Sequence, residues 1–242
     1  GKYLFIWTSS IMFGLRFCAH FIETKLKLSP IGLLLVCAGL ACLGLNLASG
    51  MQTFSMALVA LGIYAVGKTF FWPTMLAVVG DRYPQTGAVA MSIMGGIGML
   101  SAGLIGGPGL GYCKDRFAGE ELKKTSPAIY AEYKAKEPST FLNLASTEAF
   151  GLDGKKLGEA NDKLGAIRKK IEAENGDLST ALSKLEPNDK AIIEASTHGD
   201  RATLKADAYI PLTMAAIYLI LLIYFQLIGG YKPVSIGADS GK

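Results

Sequence analysis

Five runs of about twenty apolar residues punctuate this chain, and no other feature restricts its fold as much. They cover residues 3–22, 31–50, 54–79, 87–112 and 209–231. An α-helix advances only ~1.5 Å per residue, so it needs roughly 20 apolar residues to cross the hydrocarbon core of a bilayer. Backbone groups inside lipid must find partners within their own segment, which makes the helix the form such runs take. The charges tell the same story. Of the 44 ionised side chains, 33 lie between Cys113 and Asp207, 16 basic and 17 acidic, leaving 11 for the other 147 residues. A mean hydropathy of +0.34 therefore averages two unlike parts. The expected fold class is all-α: a polytopic membrane helical bundle of five transmembrane helices. Residues 113–208 form an inserted, mostly helical soluble subdomain, and 232–242 form a tail. A net charge of +4, scattered along the chain, gives no basic face for nucleic acid as a partner.

Boundaries and orientation follow from proline and lysine. Pro30, Pro84 and Pro211 stand where spans begin or end, since proline fits a helix's first turn and not its interior. Lys25 and Lys27 lie between the first two spans, Arg82 between the third and fourth, and Lys232 after the fifth. The positive-inside rule makes these loops cytoplasmic, puts the C-terminus in the cytoplasm and leaves 113–208 extracytoplasmic. The expected location is an integral protein of the plasma (inner) membrane. The second and fifth spans are apolar on every face and are expected to touch lipid. The chain opens without Met, almost directly in an apolar run, so an upstream part is expected. Its four cysteines form neither a disulfide framework nor a CxxC metal signature.

Inside this apolar background two cations stand out. From Leu58 to Val79, Lys68 is the only charged residue, and Tyr64, Lys68 and Trp72 follow at i, i+4 and i+8, one face of a helix. On the first span Ser9, Phe13, Arg16 and His20 make a similar stripe. Counted from Tyr3 and Phe54, Arg16 and Lys68 both lie roughly 20 Å into the bilayer. A charge there costs on the order of 3 kcal/mol, so something polar must meet it. The nearest acids by sequence, Glu23 and Asp81, belong to the cytoplasmic ends. The candidates are water in a cavity, an anionic ligand, or acids outside this chain. A lysine that snorkels, or that caps carbonyls freed by a break at Pro73, is the alternative. His20 is a candidate proton relay or a packed imidazole.

The fourth span, "GGIGMLSAGLIGGPGLGY", carries Gly103, Gly107 and Gly111 on one stripe, which permits a close helix approach or a hinge, and Pro108 bends its outer end. A phosphate-binding loop is excluded because no strand precedes and no GK[ST] follows.

In order and spacing, these segments resemble the C-terminal half of a major facilitator superfamily transporter, with five spans matching its helices eight to twelve. "RFCAHFIETKLKLSP" (16–30) occupies the place of the family loop G-x-x-x-D-[RK]-x-G, with His20 at the glycine, Thr24 at the acid, Lys25 at the basic position and Glu23 one residue before the acid. "GKTFFWPTMLAVVGDRYP" is similar to the tenth helix and its exit, and "GLIGGPGLG" to G-x-x-x-G-P-x-x-G. The resemblance covers 1–112 and 209–231, not the insertion. It implies alternating access between two six-helix bundles, one of them a missing N-terminal bundle of the same protein. It also implies a cavity lined by Lys68, Trp72, Tyr64, Arg16 and His20, and a cytoplasmic gate built from Glu23, Lys25, Asp81 and Arg82. Gly103, Gly107, Gly111, Pro108 and Pro73 become packing or hinge positions.

In the insertion, Leu157, Leu164, Ile167 and Ile171 recur at helical spacing within 153–176, and a second helix broken at Pro187 follows. Asn175-Gly176 and His198-Gly199 read as turns. No catalytic or metal-ligating constellation emerges, so no enzyme activity, metal or cofactor is expected. The expected function is the C-terminal portion of a secondary active transporter for a small sugar or organic anion, with the solute and the lipid bilayer as partners. The rival is a membrane scaffold or receptor acting through its insertion.

Overall fold

The structure, a computed structural model, describes residues 2–18, 29–141 and 148–234. Among the described residues it is all-helical, with no strands. Among the described residues, four helical runs are long and apolar enough to cross a membrane: Pro30–Ser49, Phe54–Arg82, Gly87–Thr125 and Pro187–Leu227. These mark the chain as an integral membrane protein. The expected first span shows a helix over Lys2–Phe17, and residues 19–22 of that run lie outside the described residues. The residues group into two compact units, 1–101 with 204–242, and 102–203.

The first unit holds α1 (Lys2–Phe17), α2 (Pro30–Ser49), α3 (Phe54–Thr69), α4 (Phe71–Arg82), α5 (Gly87–Ser101) and α10 (Tyr209–Leu227). Local signals set the helix starts. Ser29 Oγ accepts from Gly32 N–H ahead of Pro30, and Thr53 Oγ1 accepts from Met56 N–H, each satisfying a donor that a first turn leaves unpaired. The second span sits centrally, against α3, α4 and α10, while Val36, Leu43 and Leu47 still turn outward. Its Ile31, Leu34, Ala38, Ala41, Leu45 and Ala48 are buried, a spacing of threes and fours that defines one side of a helix. Small residues explain the position. A Cβ on Gly44 would lie 2.5 Å from Tyr64 N, and one on Gly67 would lie 2.5 Å from Ala41 N, so α2 and α3 touch almost backbone to backbone. By contrast α10 buries only Pro211 and turns Ile220, Ile223 and Leu227 outward. Outward apolar side chains on this scale suit lipid and not water.

The second unit is a small helical assembly with its own core. It contains a π-helical turn over Ala102–Gly106, α6 (Gly107–Thr125), α7 (Pro127–Tyr133), α8 (Gly154–Ala173), a 3-10 segment (Leu178–Lys184) and most of α9 (Pro187–Asp207). Leu122, Leu152, Leu164, Ile171, Ile192 and Ile193 fill that core. The helix read over 153–176 forms as α8, started by Asp153, whose carboxylate accepts from the N–H groups of Lys155 and Lys156. Asn175 takes φ = 52° at the turn that ends it. Two expectations change. Pro187 begins α9 instead of breaking a helix, the position where its missing N–H costs nothing. His198-Gly199 is not a turn but the middle of α9. Gly199 is there for proximity, since a Cβ would stand 2.8 Å from Ala118 Cβ and 2.9 Å from Lys114 O on α6. The buried Asp189 carboxylate is held by Lys163 Nζ at 2.7 Å, a bond that also keeps the lysine pKa above its ordinary value. Two isolated antiparallel bridges, Lys134 with Leu152 and Ser139 with Ala149, pair the stretch that follows α7 with the one that precedes α8.

Candidate functional site

The cation pair of the first unit is arranged by α1 and α3, which run side by side in the same direction. Trp7 Nε1 donates to Leu58 O at 3.0 Å, and Gly62 faces Trp7 and Ile11. One turn further, Leu15 packs on the cluster of Leu33, Cys37 and Phe70. Arg16 therefore follows a residue of that layer and Lys68 precedes one by two positions, so both cations belong to the same level. Arg16 is exposed and Lys68 half-buried. The Lys68 ammonium lies 5.2 Å from the centroid of the Tyr64 ring, a cation–π contact across one helical turn.

The third span is interrupted immediately after Lys68. Phe70 separates α3 from α4, with φ −97° and ψ −7°, and is itself buried. Pro73 supplies the reason: it has no N–H to return to Thr69 O, so the hydrogen-bond ladder lapses there and resumes with Thr74 N–H to Phe70 O at 3.1 Å. The buried Thr69 hydroxyl donates back to Ala65 O at 2.6 Å. This interruption splits the stripe expected to run from Tyr64 to Trp72. Tyr64 and Lys68 share a face, whereas the Trp72 ring lies over α5, where a Cβ on Gly98 would come within 2.8 Å of Cζ3 and one on Gly95 within 3.9 Å of Cζ2.

A second cluster ties the end of α4 to the residues after α10. Gly229 and Gly230 take φ of +93° and +94°, a left-handed ending that suits glycine, and Gly230 N–H donates to Phe225 O at 2.7 Å. The chain then returns to α4. Tyr231 Oη donates to Asp81 Oδ2 at 3.1 Å, Val234 N–H donates to Asp81 O at 2.8 Å, and Arg82 Nη1 donates to Lys232 O at 3.3 Å. The Arg82 guanidinium also stands 5.2 Å from the Phe225 centroid, and Phe225 meets Tyr231 edge to face at 5.3 Å. Asp81 and Arg82 were candidate gate residues by sequence, whereas the strap that engages them was not foreseen. Its signal was the Gly-Gly pair directly after an apolar run, which marks a helix end and a reversal. Of the other candidates, His20, Glu23 and Lys25 lie outside the described residues.

The glycine stripe falls in the second unit. A Cβ on Gly103 or Gly111 would meet nothing within 4 Å, and one on Gly107 only Ala102 O at 3.8 Å. The π-helical turn at 102–106 immediately precedes Pro108, whose ring displaces the ordinary i−4 bond to Leu104 and favours the wider turn.

No family model, curated protein or solved structure matches this chain, so its site is read from its own residues.

Proposed function

We propose that the chain is the C-terminal portion of a secondary active transporter that moves a small sugar or organic anion by alternating access. Its C-terminus is cytoplasmic and residues 113–208 are extracytoplasmic, in a plasma membrane. One observation carries the reading: a half-buried ammonium, Lys68, sits in the last turn of an apolar helix just before a break, with an aromatic ring as its described neighbour. A cation kept within an apolar span at about 3 kcal/mol of insertion cost needs a counter-charge or water, and an anionic solute supplies the first. Broken helices commonly border such sites, because they free backbone groups to meet a ligand. Arg16, at the same level, adds a second cation, Tyr64 offers a ring face to a sugar, and the Asp81–Arg82 strap supplies contacts that can open and close at the cytoplasmic end.

The test is uptake by the full-length protein in proteoliposomes, with glucose, glucuronate and succinate as radiolabelled probes. Lys68→Ala is expected to abolish uptake of whichever probe is carried, with expression and helicity near normal. Unchanged uptake removes Lys68 from the solute path. The second reading, a membrane receptor acting through its insertion, is favoured by the closed core of the second unit. It predicts that Lys68→Ala leaves function intact.

A further inference from the structure

The second unit contains a cleft that the transport reading does not use. Its volume is ≈ 340 Å³, and it is lined by Tyr112, Arg116, Glu120 and Lys123 of α6, Tyr130 of α7, and Glu148 to Phe150. Spacings of four, four and three put the α6 members on one helical face. The opposite wall is pinned closely: a Cβ on Gly119 would fall 2.0 Å from Phe150 O, and Tyr130 Oη reaches that same oxygen at 3.5 Å. Burial raises the Tyr130 pKa, and its hydroxyl is the donor to Phe150 O.

The charges in the cleft divide into two kinds. Arg116 Nε donates to Glu120 Oε1 at 2.8 Å, so these two satisfy one another. Lys123 and Glu148 make no ion pair with any described residue, and both are exposed on the lining. Among the described residues the cleft thus offers one cation and one anion without an ion-pair partner, and two phenol rings, with no net charge. A monovalent ion would satisfy one of the two charges, and a neutral sugar neither. A zwitterion satisfies both through charge-assisted bonds and can lay a side chain on the rings. The volume lies at the small end of ligand pockets, the scale of a single amino acid or a dipeptide.

We infer that this cleft binds a free amino acid or dipeptide with an apolar or aromatic side chain, its carboxylate on Lys123 and its ammonium on Glu148. The inference is independent of the transport reading and of Lys68.

The experiment is calorimetric titration of the full chain in lipid nanodiscs with L-phenylalanine, 3-phenylpropionate and 2-phenylethylamine. Phenylalanine is expected to bind saturably, and each single-charge analogue about tenfold more weakly or worse, the loss of one charge-assisted contact at ~1.4 kcal/mol per decade. Lys123→Gln is expected to weaken phenylalanine and erase its advantage over phenylethylamine. Glu148→Gln is expected to erase its advantage over phenylpropionate. Both positions are exposed, so far-UV helicity stays unchanged. Lys68→Ala is expected to leave phenylalanine binding intact, whatever it does to uptake. The inference is overturned by absent saturable binding, by equal affinity for all three probes, by indifference to both cleft variants, or by loss of binding in Lys68→Ala.

Discussion

The closest contact in the first unit makes the sharpest prediction. Gly67 lies one residue before Lys68, and a Cβ built there would stand 2.5 Å from Ala41 N, 2.8 Å from Cys37 O and 3.0 Å from Ala41 Cα, all backbone atoms of α2. Ordinary van der Waals contact begins at 3.4 Å, so Gly67→Ala requires α2 and α3 to part by about 0.9 Å. No side-chain rotation can relieve it, because the obstacles are main chain. Overpacking of this kind costs roughly 1–3 kcal/mol, while alanine returns about 1 kcal/mol of helix propensity. The local clash is joined by a loss along the whole interface, since Gly44 makes the same approach to Tyr64 about one turn away. The expected net effect is a destabilisation of about 1–2 kcal/mol, at the upper part of that packing range after propensity is subtracted. The control is Gly39→Ala, on the same helix as Gly44, where a Cβ meets nothing within 4 Å. There only propensity acts, and stability is expected to rise or hold. The assay is reversible unfolding in mixed micelles, followed by far-UV circular dichroism. Equal stabilities for Gly67→Ala and Gly39→Ala would refute the close approach of α2 and α3, the helix that carries Lys68.

Three further outcomes are expected. Tyr231→Phe removes the hydroxyl bonded to Asp81, worth ~1 kcal/mol, so amide exchange at Val234, which donates to Asp81 O, should quicken roughly fivefold; an unchanged rate would mean the strap is not latched by that hydroxyl. Gly119→Ala drives a Cβ to 2.0 Å from Phe150 O and should detach the bridged segment from α6, seen as lost amide protection at Ala149, whereas Gly158→Ala, with open space around it, should not. Asp153 has its pKa held below the ordinary 3.8, first by the Lys156 N–H it caps and then by that of Lys155. Its contribution to α8 is therefore complete above pH 3.8 and is lost as pH falls through the lower folded value. Amide exchange in the first turn of α8 should accelerate over that acid window, and Asp153→Ala should exchange quickly on both sides of it.

Much of the architecture was legible because hydropathy and period are strong signals. The apolar runs are helical among the described residues, although the fourth continues to Thr125, and Leu157, Leu164, Ile167 and Ile171 gave α8 within a few residues. What failed was the reading of glycine. His198-Gly199 looks like a turn because glycine most often punctuates, yet Gly199 stays helical to let α6 and α9 touch. The same ambiguity concealed the central position of α2, whose composition is that of a lipid-facing helix. Only Gly44 and Gly67, one on each partner, show that two backbones meet there, and such pairing is a property of two segments that neither reveals alone. At the candidate site, the i, i+4 spacing brings the Lys68 ammonium over the Tyr64 ring, whereas the Trp72 ring lies over α5. A period assumes an unbroken ladder, and proline removed the bond on which it depended.

That break gives Lys68 its significance. In an uninterrupted helix every carbonyl near it would be paired four residues on, and the ammonium would have only ring faces and lipid around it. Pro73 leaves Thr69 O without its usual donor one residue from Lys68, while the buried Thr69 hydroxyl turns back to Ala65. On the transport reading, a carbonyl without its ladder bond and a cation with no ion-pair partner among the described residues follow one another in sequence within an apolar span, and the two would act on one solute. Replacing Pro73 with alanine would restore the ladder and keep the charge. On the transport reading, Pro73→Ala should lower uptake without touching Lys68, and Pro73→Ala with Lys68→Ala should be no worse than Lys68→Ala alone. If instead the two losses multiply as independent effects, the break and the cation serve separate purposes, and the ammonium is a snorkelling charge beside an unrelated kink.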